Sequence, residues 1–293
     1  MNSYDYKKID AFASGKATGN PAACLFLREG ETLSEDAMLD IARQHKGFVS
    51  EVVYCAKDPD GVYSLRYFSS ECEVEFCGHG TVACMYSLIK NSPALTAMPR
   101  VPFRTRGKGV LTVFNEIPRQ DAVFITAPEP EHLKTRLTRE AMAKALSLSP
   151  ALVDPNLPVD VINAGLRTLI VPITRLADEV SVFPCESALK AFCLEHGIDI
   201  VLVYSLETED ETRMAHTRVF APRFGYLEDP ATGSGSSAFG YYLMKNDLWS
   251  GEAISLEQGG SDRVFNTVKL AFCDGSLRFG GGAVERIEGV YHY

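Results

Sequence analysis

An internal repeat is the feature of this sequence that most constrains its fold. Residues 77–91 read CGHGTVACMYSLIKN and residues 232–246 read TGSGSSAFGYYLMKN. Seven of the 15 aligned positions are identical, namely Gly78/Gly233, Gly80/Gly235, Ala83/Ala238, Tyr86/Tyr241, Leu88/Leu243, Lys90/Lys245 and Asn91/Asn246. Chance rarely produces such a match, and self-similarity within a chain indicates that one structural unit is used twice. We therefore predict two related halves, each with a Gly-x-Gly turn that opens a helix.

The segments that precede the two turns repeat as well. An Arg-x-Phe sequence stands at 66–68 and again at 218–220. Further upstream, residues 33–46 and 184–196 have the pattern of amphipathic helices, with acids in the first turn, a basic residue in the last turn and glycine just after the end. Each is followed by a β-rich run that ends in tyrosine. The order helix, strand, strand, turn, helix thus occurs twice.

Short β-rich segments outnumber the predicted helices, and Gly, Pro or Asp residues separate them. Few pairs of these segments have a helical crossover between them, which is typical of α+β halves with curved sheets and not of a doubly wound parallel sheet. We predict a first half over residues 1–118, joined by a last strand at 278–293, and a second half over residues 119–277.

Composition and charge exclude several classes of partner. The formal net charge is −9 and no Lys/Arg-rich run interleaves with aromatic residues, so we expect no nucleic acid partner. No apolar run approaches the roughly 20 residues that span a bilayer, and the first residues do not resemble a signal peptide. We therefore expect a cytoplasmic protein without a membrane partner. The eight cysteines form no Cys-x-x-Cys pair and no Cys/His cluster with zinc-ligand spacing, so we predict neither a metal nor a cofactor.

The two Gly-x-Gly turns are candidate anion sites. A turn that opens a helix offers unpaired backbone N–H groups and the positive end of the helix dipole, which attract a carboxylate or another anion. A glycine that merely permits a tight turn is the alternative interpretation, and the duplication argues against it. If the turns at Gly78 to Gly80 and Gly233 to Gly235 face one another across a cleft, a small anionic metabolite could bind there.

Cys77 stands at the beginning of the first of these helices. The helix dipole favours a thiolate at this position, so the residue could act as a nucleophile or a proton carrier. Its counterpart in the repeat is Thr232. A racemase that exchanges protons between two thiols needs a cysteine in both halves, and here the second one is missing. A partly buried thiol that lines the turn is therefore an equally open interpretation.

His79 lies between two glycines of the first turn, where we expect an exposed imidazole that reaches a ligand and titrates near neutrality. Asp229 precedes the second turn, and its carboxylate would enter the same cleft unless it serves only as a helix cap or turn former. The other histidines are placed on polar helices or near chain ends and receive no role: His45, His132, His196, His216 and His292.

Glu51 is an acid at the start of an otherwise apolar run, VVY at residues 52–54. Such a position costs stability unless the carboxylate is solvated or paired. Burial would raise the pKa of Glu51 toward the range that suits a general acid/base. An outward-facing charge on an edge strand is the alternative.

At these residues the sequence closely resembles the PhzF family of phenazine-biosynthesis isomerase-like proteins, which have the diaminopimelate epimerase fold. The resemblance rests on DAF at 10–12, GNPA at 19–22, SE at 50–51, CGHGT at 77–81, RVFAPRFG at 218–225, EDPATGS at 228–234, QG at 258–259 and GGG at 280–282. Together these motifs are specific, although each alone is weak.

The resemblance implies two pseudo-symmetric α+β domains, each a curved sheet or barrel around a central helix, with the active site between them and commonly a homodimer. In the family's characterised isomerase, the glutamate that matches Glu51 moves a proton between ring carbons of a dihydro-hydroxyanthranilate, and the residues that match His79 and Asp229 assist. Five further residues are predicted to bind the substrate: Asn20, Ser50, Gly78, Gly233 and Ser234.

The sequence therefore favours a cofactor-independent isomerase that shifts a proton within a small carboxylate-bearing metabolite. One alternative is an amino-acid epimerase that uses Cys77 with an unlike partner such as Asp229. The other is a binding protein that kept the fold and lost turnover, and the presence of Glu51, His79 and Asp229 argues against it.

Overall fold

The computed structural model describes residues 2–13, 15–135, 137–260 and 262–293. The chain forms two compact units, and each is described by itself. Unit 1 consists of Met1–Ile125 and Gly280–Tyr293, and unit 2 of Thr126–Phe279. No helix in the described ranges is long and apolar enough to cross a membrane.

The strands and helices are as follows in chain order. The strands are β1 (Ser3–Ala11), β2 (Asn20–Leu27), β3 (Glu51–Lys57), β4 (Tyr63–Phe68), β5 (Glu73–Val74), β6 (Arg100–Thr105), β7 (Gly109–Asn115), β8 (Val123–Thr126), β9 (Glu131–Leu133), β10 (Asp160–Asn163), β11 (Arg167–Pro172), β12 (Ile200–Ser205), β13 (His216–Phe220), β14 (Glu228–Asp229), β15 (Ile254–Gln258), β16 (Asn266–Cys273), β17 (Ser276–Gly281) and β18 (Ala283–His292). The helices are α1 (Glu35–Gln44), α2 (Gly78–Lys90), α3 (Pro93–Thr96), α4 (Ile117–Gln120), α5 (Arg139–Ala145), α6 (Leu176–Val180), α7 (Glu186–His196) and α8 (Gly233–Lys245), with short 3-10 turns at Pro150–Leu152 and Pro222–Phe224.

In unit 1 the sheet combines antiparallel and parallel pairs. β1 is antiparallel to β2 and β18, β2 is parallel to β3, and β3 is antiparallel to β4. β4 is antiparallel to the short β5 and parallel to β6, which is antiparallel to β7, and β7 is antiparallel to β8. α1 connects the parallel strands β2 and β3, and α2 lies between β5 and β6 in the chain.

Unit 2 repeats this order of pairs. β10 is antiparallel to β9 and β11, β11 is parallel to β12, and β12 is antiparallel to β13. β13 is antiparallel to the short β14 and parallel to β15, which is antiparallel to β16. α6 and α7 take the place of α1, and α8 that of α2. The predicted α+β class is confirmed, because the sequence repeat is also a repeat of sheet topology.

The helices α2 and α8 are the central helices of their units. Both are buried around most of their circumference, which is why their apolar residues do not follow a single stripe. Both begin with the same type of cap: the Cys77 thiol accepts a hydrogen bond from Gly80 N (3.3 Å), and the Thr232 hydroxyl accepts one from Gly235 N (3.4 Å). The two Gly-x-Gly turns are therefore N-terminal helix turns, as the sequence predicts.

The other two predicted helices are also present. The prediction for 33–46 corresponds to α1, which Ser34 caps by accepting a hydrogen bond from Ala37 N (3.2 Å). The prediction for 184–196 corresponds to α7, which ends at Gly197 in the left-handed conformation (φ 66°). Each of these helices packs an apolar face against the sheet of its own unit. The sheets are thereby covered and the strand ends that carry the site residues are fixed.

Candidate active site

In unit 1 the start of β3 and the start of α2 bring a carboxyl group and an imidazole together. Glu51 is the first residue of β3 and His79 the second residue of α2. Glu51 Oε2 lies 3.3 Å from His79 Nε2, and the two side chains are only 19% and 12% exposed. Gly80 permits this approach, because a Cβ there would lie 2.9 Å from Val53 Cγ2 on β3.

Burial gives both groups of this pair unusual proton affinities. Burial raises the pKa of Glu51 from 4.5 to about 7. Burial also lowers the pKa of His79 from 6.5 to about 4, although the Pro21 carbonyl accepts a hydrogen bond from the ring and opposes that change. At neutral pH the imidazole is therefore uncharged, and Glu51 is close to half protonated. Glu51 Oε2 has no hydrogen-bond partner among the described residues, so the 3.3 Å contact with His79 is not oriented as a hydrogen bond.

This environment confirms the expected burial of Glu51 and corrects the expectation for His79. We expected an exposed imidazole that titrates near neutrality. The structure instead places the ring in a buried position with a pKa of about 4. The flanking glycines allow close packing of the turn against β2 and β3, and this packing leaves only 12% of the side chain exposed.

Cys77 completes the cluster in unit 1. The residue is 7% exposed, and its Sγ lies 3.4 Å from His79 Nδ1. Within the described part of the chain, Glu51, Cys77 and His79 are the one group of His, Cys, Asp or Glu residues whose donor atoms are close enough together for a metal ion, within 4.8 Å of one another. The three donor atoms could therefore hold a metal ion or exchange a proton with a ligand.

The other predicted residues of unit 1 lie around this cluster in the fold. Asn20 begins β2 and is buried, and Ala22, two residues later, is the register partner of Glu51. Ser50 directly precedes Glu51 and is partly exposed. Gly78 is the first residue of α2, next to His79. The starts of β2, β3 and α2 thus bring all five predicted residues of this unit to one region.

Unit 2 carries the remaining three predicted residues. Asp229 ends β14 and is partly exposed, and its backbone carbonyl accepts a hydrogen bond from the Gln258 amide (2.8 Å). Gly233 is buried at the start of α8, where a Cβ would lie 2.3 Å from the Phe279 ring. Ser234 follows and is partly exposed. Asp229, Gly233 and Ser234 are therefore adjacent at the amino end of the central helix of unit 2.

Strand register shows that the two acids are not equivalent in the repeat. Val52 pairs with Phe68 in unit 1 and Val201 pairs with Phe220 in unit 2, so the position of Glu51 corresponds to Ile200. By the same comparison, Tyr67 pairs with Val74 and Val219 with Asp229, so the position of Asp229 corresponds to Val74. Each unit has one acid where the other unit has an apolar residue.

The sequence interpretation missed a pair of Arg–Glu forks that brace the short strands β5 and β14. Arg66 donates two hydrogen bonds to Glu73 (2.7 and 2.8 Å), and Arg218 donates two to Glu228 (2.9 and 2.8 Å). Arg218 also donates hydrogen bonds to three backbone carbonyls at the end of α6 and just beyond it, those of Glu179, Val180 and Val182. The repeat alignment contained the signal, because Glu73 and Glu228 both stand four residues before the helix cap.

Two related α+β units, each with a central helix that begins at a Gly-x-Gly turn, define a protein of the diaminopimelate epimerase-like class. Residues 9–270 match the model of the family described as phenazine biosynthesis-like protein, and the chain belongs to this family.

Known proteins of similar sequence and structure agree with this assignment. An uncharacterized isomerase, YfhB, of Bacillus subtilis is 28% identical over 263 residues, which is 88% of this chain and 87% of the relative. The trans-2,3-dihydro-3-hydroxyanthranilate isomerase of Pseudomonas chlororaphis is 28% identical over 261 residues, 87% of this chain and 86% of that protein. The crystal structure of a PhzF-family phenazine biosynthesis protein of Bacillus anthracis matches with a TM-score of 0.87 at 24% identity, with 100% of both chains covered.

Proposed function

We propose that this protein is a cofactor-independent isomerase that shifts a proton within a small, carboxylate-bearing, unsaturated or cyclic metabolite. The family and the isomerase names of its relatives support the reaction class. The observation that carries the proposal is the buried Glu51 carboxyl with a pKa of about 7 beside an uncharged imidazole. A group whose pKa lies near the working pH can both accept and donate a proton, which is what an internal proton shift requires.

The proposed step uses one carboxyl group twice. Glu51 as carboxylate removes a proton from one carbon of the substrate, and the electron pair of that C–H bond forms a new C=C bond. The neighbouring C=C bond breaks, and its electron pair takes the same proton back from Glu51 at the far carbon. Atoms and charge balance without another reactant, and Glu51 returns to its starting form. The uncharged His79 contributes a polar neighbour without the positive charge that would hold the Glu51 pKa low.

Recognition of a carboxylate is proposed for the starts of the central helices. The backbone N–H groups of Gly78 and Gly233 stand in first turns, where a helix leaves its donors without intrahelical acceptors. The dipole favours a negative charge at the same end. Asp229 and His79 are proposed to assist the proton transfer and to contact the substrate, and Asn20, Ser50 and Ser234 to bind it.

The direct test uses trans-2,3-dihydro-3-hydroxyanthranilate, the compound in the name of the Pseudomonas chlororaphis relative, as the probe. Glu51→Gln keeps the shape of the side chain and removes the titrating group. We expect turnover, followed by proton NMR, to fall by about 10²–10⁴-fold, the range for a positioned acid/base. Glu71→Gln, at an exposed acid of the same unit, is the matched control and should turn over normally. Near-normal turnover by Glu51→Gln would show that another residue moves the proton.

The contact between Cys77 and His79 at 3.4 Å favours a second candidate, an amino-acid epimerase that uses the thiol. Deuterium exchange separates the two. An epimerase working in D₂O introduces deuterium at the α-carbon, whereas a one-base internal shift retains much of the original proton. Binding of the probe to the wild type without turnover would instead favour the homologue that lost its activity.

We further propose a cytoplasmic homodimer. This proposal rests on the family resemblance. Light scattering coupled to size exclusion should then give a mass of twice the 32.2 kDa chain. A mass of one chain at micromolar concentration would contradict this proposal without affecting the isomerase proposal.

A further inference from the structure

The segment between β14 and α8 is held by two buried amide side chains. Gln258, at the end of β15, is 1% exposed. Its Nε2 donates to the Asp229 carbonyl (2.8 Å) and its Oε1 accepts from Thr232 N (3.0 Å). Asn266, at the start of β16, donates to the Pro230 carbonyl between them (2.7 Å). One side chain, Gln258, thus spans both ends of the segment that carries Asp229 to the helix.

The repeat shows that this arrangement is not a requirement of the fold. Thr217, which precedes Arg218, pairs with Gln258, and Leu65, which precedes Arg66, pairs with Thr105. Thr105 is therefore the counterpart of Gln258. The same comparison applies to the next strand of each unit. Asn266 pairs with Gln258 in unit 2 and Gly109 pairs with Thr105 in unit 1, so Gly109 is the counterpart of Asn266. Unit 1 builds the same central helix start without either amide, and the amides occur in the unit that contains Asp229.

The hydrogen bonds of Gln258 fix the backbone from which the Asp229 side chain projects. Pro230 restricts Asp229 to extended backbone conformations, and the position of the Asp229 carbonyl then determines its remaining backbone angle. At the other end, Thr232 donates its N–H to Gln258 and caps α8 with its hydroxyl. A side chain as deeply buried as Gln258 is costly unless it is hydrogen-bonded. Its two hydrogen bonds therefore hold both ends of the segment from Asp229 to Thr232 in place.

We propose that Gln258 is the positioning residue of the active site: it holds the Asp229 carboxylate in register with the Gly233–Ser234 turn. The inference rests on the proposed function, in which Asp229 and this turn contact the substrate. A displacement of a catalytic group by about 1 Å can reduce turnover 10²-fold, so loss of one of these hydrogen bonds should act on turnover more than on folding.

Gln258→Glu tests this with nearly the same atoms. The introduced carboxylate still accepts from Thr232 N and loses the donor to the Asp229 carbonyl. With trans-2,3-dihydro-3-hydroxyanthranilate as probe we expect kcat to fall about 10- to 100-fold at pH 8. As the pH falls, the introduced carboxyl becomes protonated and again donates to the carbonyl. The ratio of variant to wild-type kcat should therefore recover at low pH. A side chain that served only stability would change the melting temperature and leave kcat of the folded protein unaltered at all pH values, which would overturn the proposal.

Glu257→Gln is the matched control on the same strand. Glu257 is also buried and accepts from the backbone of Glu209 and Asp210, away from Asp229. We expect this variant to lose stability without the pH-dependent change in kcat. An equal, pH-reversible loss of kcat in both variants would contradict a specific role for Gln258.

A second readout needs no turnover and separates this inference from the proposed function. The ¹³C NMR signal of the Asp229 carboxyl group, assigned with Asp229→Asn, should shift in Gln258→Glu and return toward its wild-type position at low pH. If the probe is not converted by the wild type but this signal behaves as described, the proposed substrate is wrong and the positioning role holds. An Asp229 signal that does not respond to Gln258→Glu overturns the positioning role.

Discussion

Glu51 Oε2 and His79 Nε2 are 3.3 Å apart, yet they do not form an ion pair at neutral pH. Burial holds the pKa of His79 near 4 and that of Glu51 near 7, so the proton that would charge the imidazole is absent. A charged imidazolium at this distance would lower the pKa of the carboxyl group and fix it as a carboxylate. The neutral ring leaves Glu51 able to exchange its proton.

The raised pKa of Glu51 predicts that this residue costs stability at high pH. The folded chain holds the Glu51 proton with a pKa of about 7 and the unfolded chain with one of 4.5, so the folded state binds more protons between these values. The free energy of unfolding therefore falls as pH rises through this window. Above pH 7 we expect Glu51→Gln to be more stable than the wild type by up to about 3 kcal/mol, and below pH 4 the difference should vanish. Urea unfolding at several pH values measures it.

His79 acts on stability with the opposite sign. Its pKa of about 4 in the folded chain lies below the ordinary 6.5, so the unfolded state binds more protons between these values. Stability contributed by the neutral ring is complete above pH 6.5 and is lost as pH falls through 4. In Glu51→Gln, where the opposing slope of Glu51 is removed, the free energy of unfolding should rise with pH over this range. A flat pH curve for Glu51→Gln between pH 4 and 6.5 would show that the pKa of His79 is not lowered.

The pH dependence of turnover should reflect the pKa of Glu51 and not that of a histidine. Because the free enzyme must present the carboxylate, kcat/KM for the probe substrate should rise with pH and level off above about 7. His79 should add no second inflection between pH 5 and 9, since its ring stays neutral over this range. A profile measured from pH 5 to 9 tests both points. Survival of the same inflection in the residual activity of Glu51→Gln would assign it to another group.

Cys77→Ser should leave both the fold and the isomerase activity largely intact. The thiol accepts a hydrogen bond from Gly80 N, and the Thr232 hydroxyl does the same for Gly235 N in unit 2, so a serine hydroxyl can replace it. We expect less than a tenfold change in kcat/KM for the probe. Loss of 100-fold or more, about 2.7 kcal/mol of transition-state stabilisation, with an unchanged fold would favour the thiol-dependent epimerase. Cys185→Ser, at an exposed cysteine, controls for thiol removal alone.

His79→Ala and Asp229→Ala should each weaken substrate binding as well as turnover, because both side chains are proposed to contact the substrate. Glu51→Gln should differ from them by reducing turnover while binding survives. Calorimetric titration with the aromatic analogue 3-hydroxyanthranilate separates these effects. Equal affinities in the wild type and both alanine variants would remove His79 and Asp229 from the binding site.

The two Arg–Glu forks should contribute unequally to stability. Arg218 is 3% exposed and also donates to backbone carbonyls, whereas Arg66 is 23% exposed. Arg218→Ala removes the donor of three backbone carbonyls as well as that of Glu228, and each buried acceptor left unpaired costs about 1–3 kcal/mol, so this variant should lose several kcal/mol. Arg66→Ala should cost clearly less, because the described hydrogen bonds of Arg66 go to carboxylates that water also reaches. Chemical denaturation measures the free energy of unfolding of both variants. Equal losses would show that the burial of the arginine does not determine how much each pair contributes to stability.

Much of the fold was predictable because local sequence patterns determine it. The repeat at residues 77–91 and 232–246 predicted two central helices with Gly-x-Gly starts, and the acid within an apolar run singled out Glu51. Such signals depend on neighbours in sequence. The family resemblance added the fold class and the expected partners of Glu51 in catalysis. The roles of Asp229, Ser234 and the other binding residues are still predictions.

Features that depend on distant packing were not predictable. The burial of His79 in α2 depends on packing against residues distant in sequence, such as Pro21 on β2, whose carbonyl accepts a hydrogen bond from the ring, and the flanking glycines do not reveal it. His216, expected on a polar helix or near a chain end, lies instead in the buried strand β13, 2.7 Å from Glu179. The hydrogen bonds of Gln258 likewise join residues far apart in the chain. Sequence periodicity carries no information on these pairings.

Selection for stability and selection for catalysis act in opposite directions on the buried Glu51 carboxyl group. A lineage selected only for a robust fold would replace this acid, since an amide or an apolar side chain at the start of β3 avoids the cost of burying a charge. Under the proposed function, retention of the glutamate therefore marks continued use, and its loss should be among the first changes in a family member that no longer catalyses a reaction. On that proposal, position 51 separates catalytically active members of the family from inactive ones before any substrate is known.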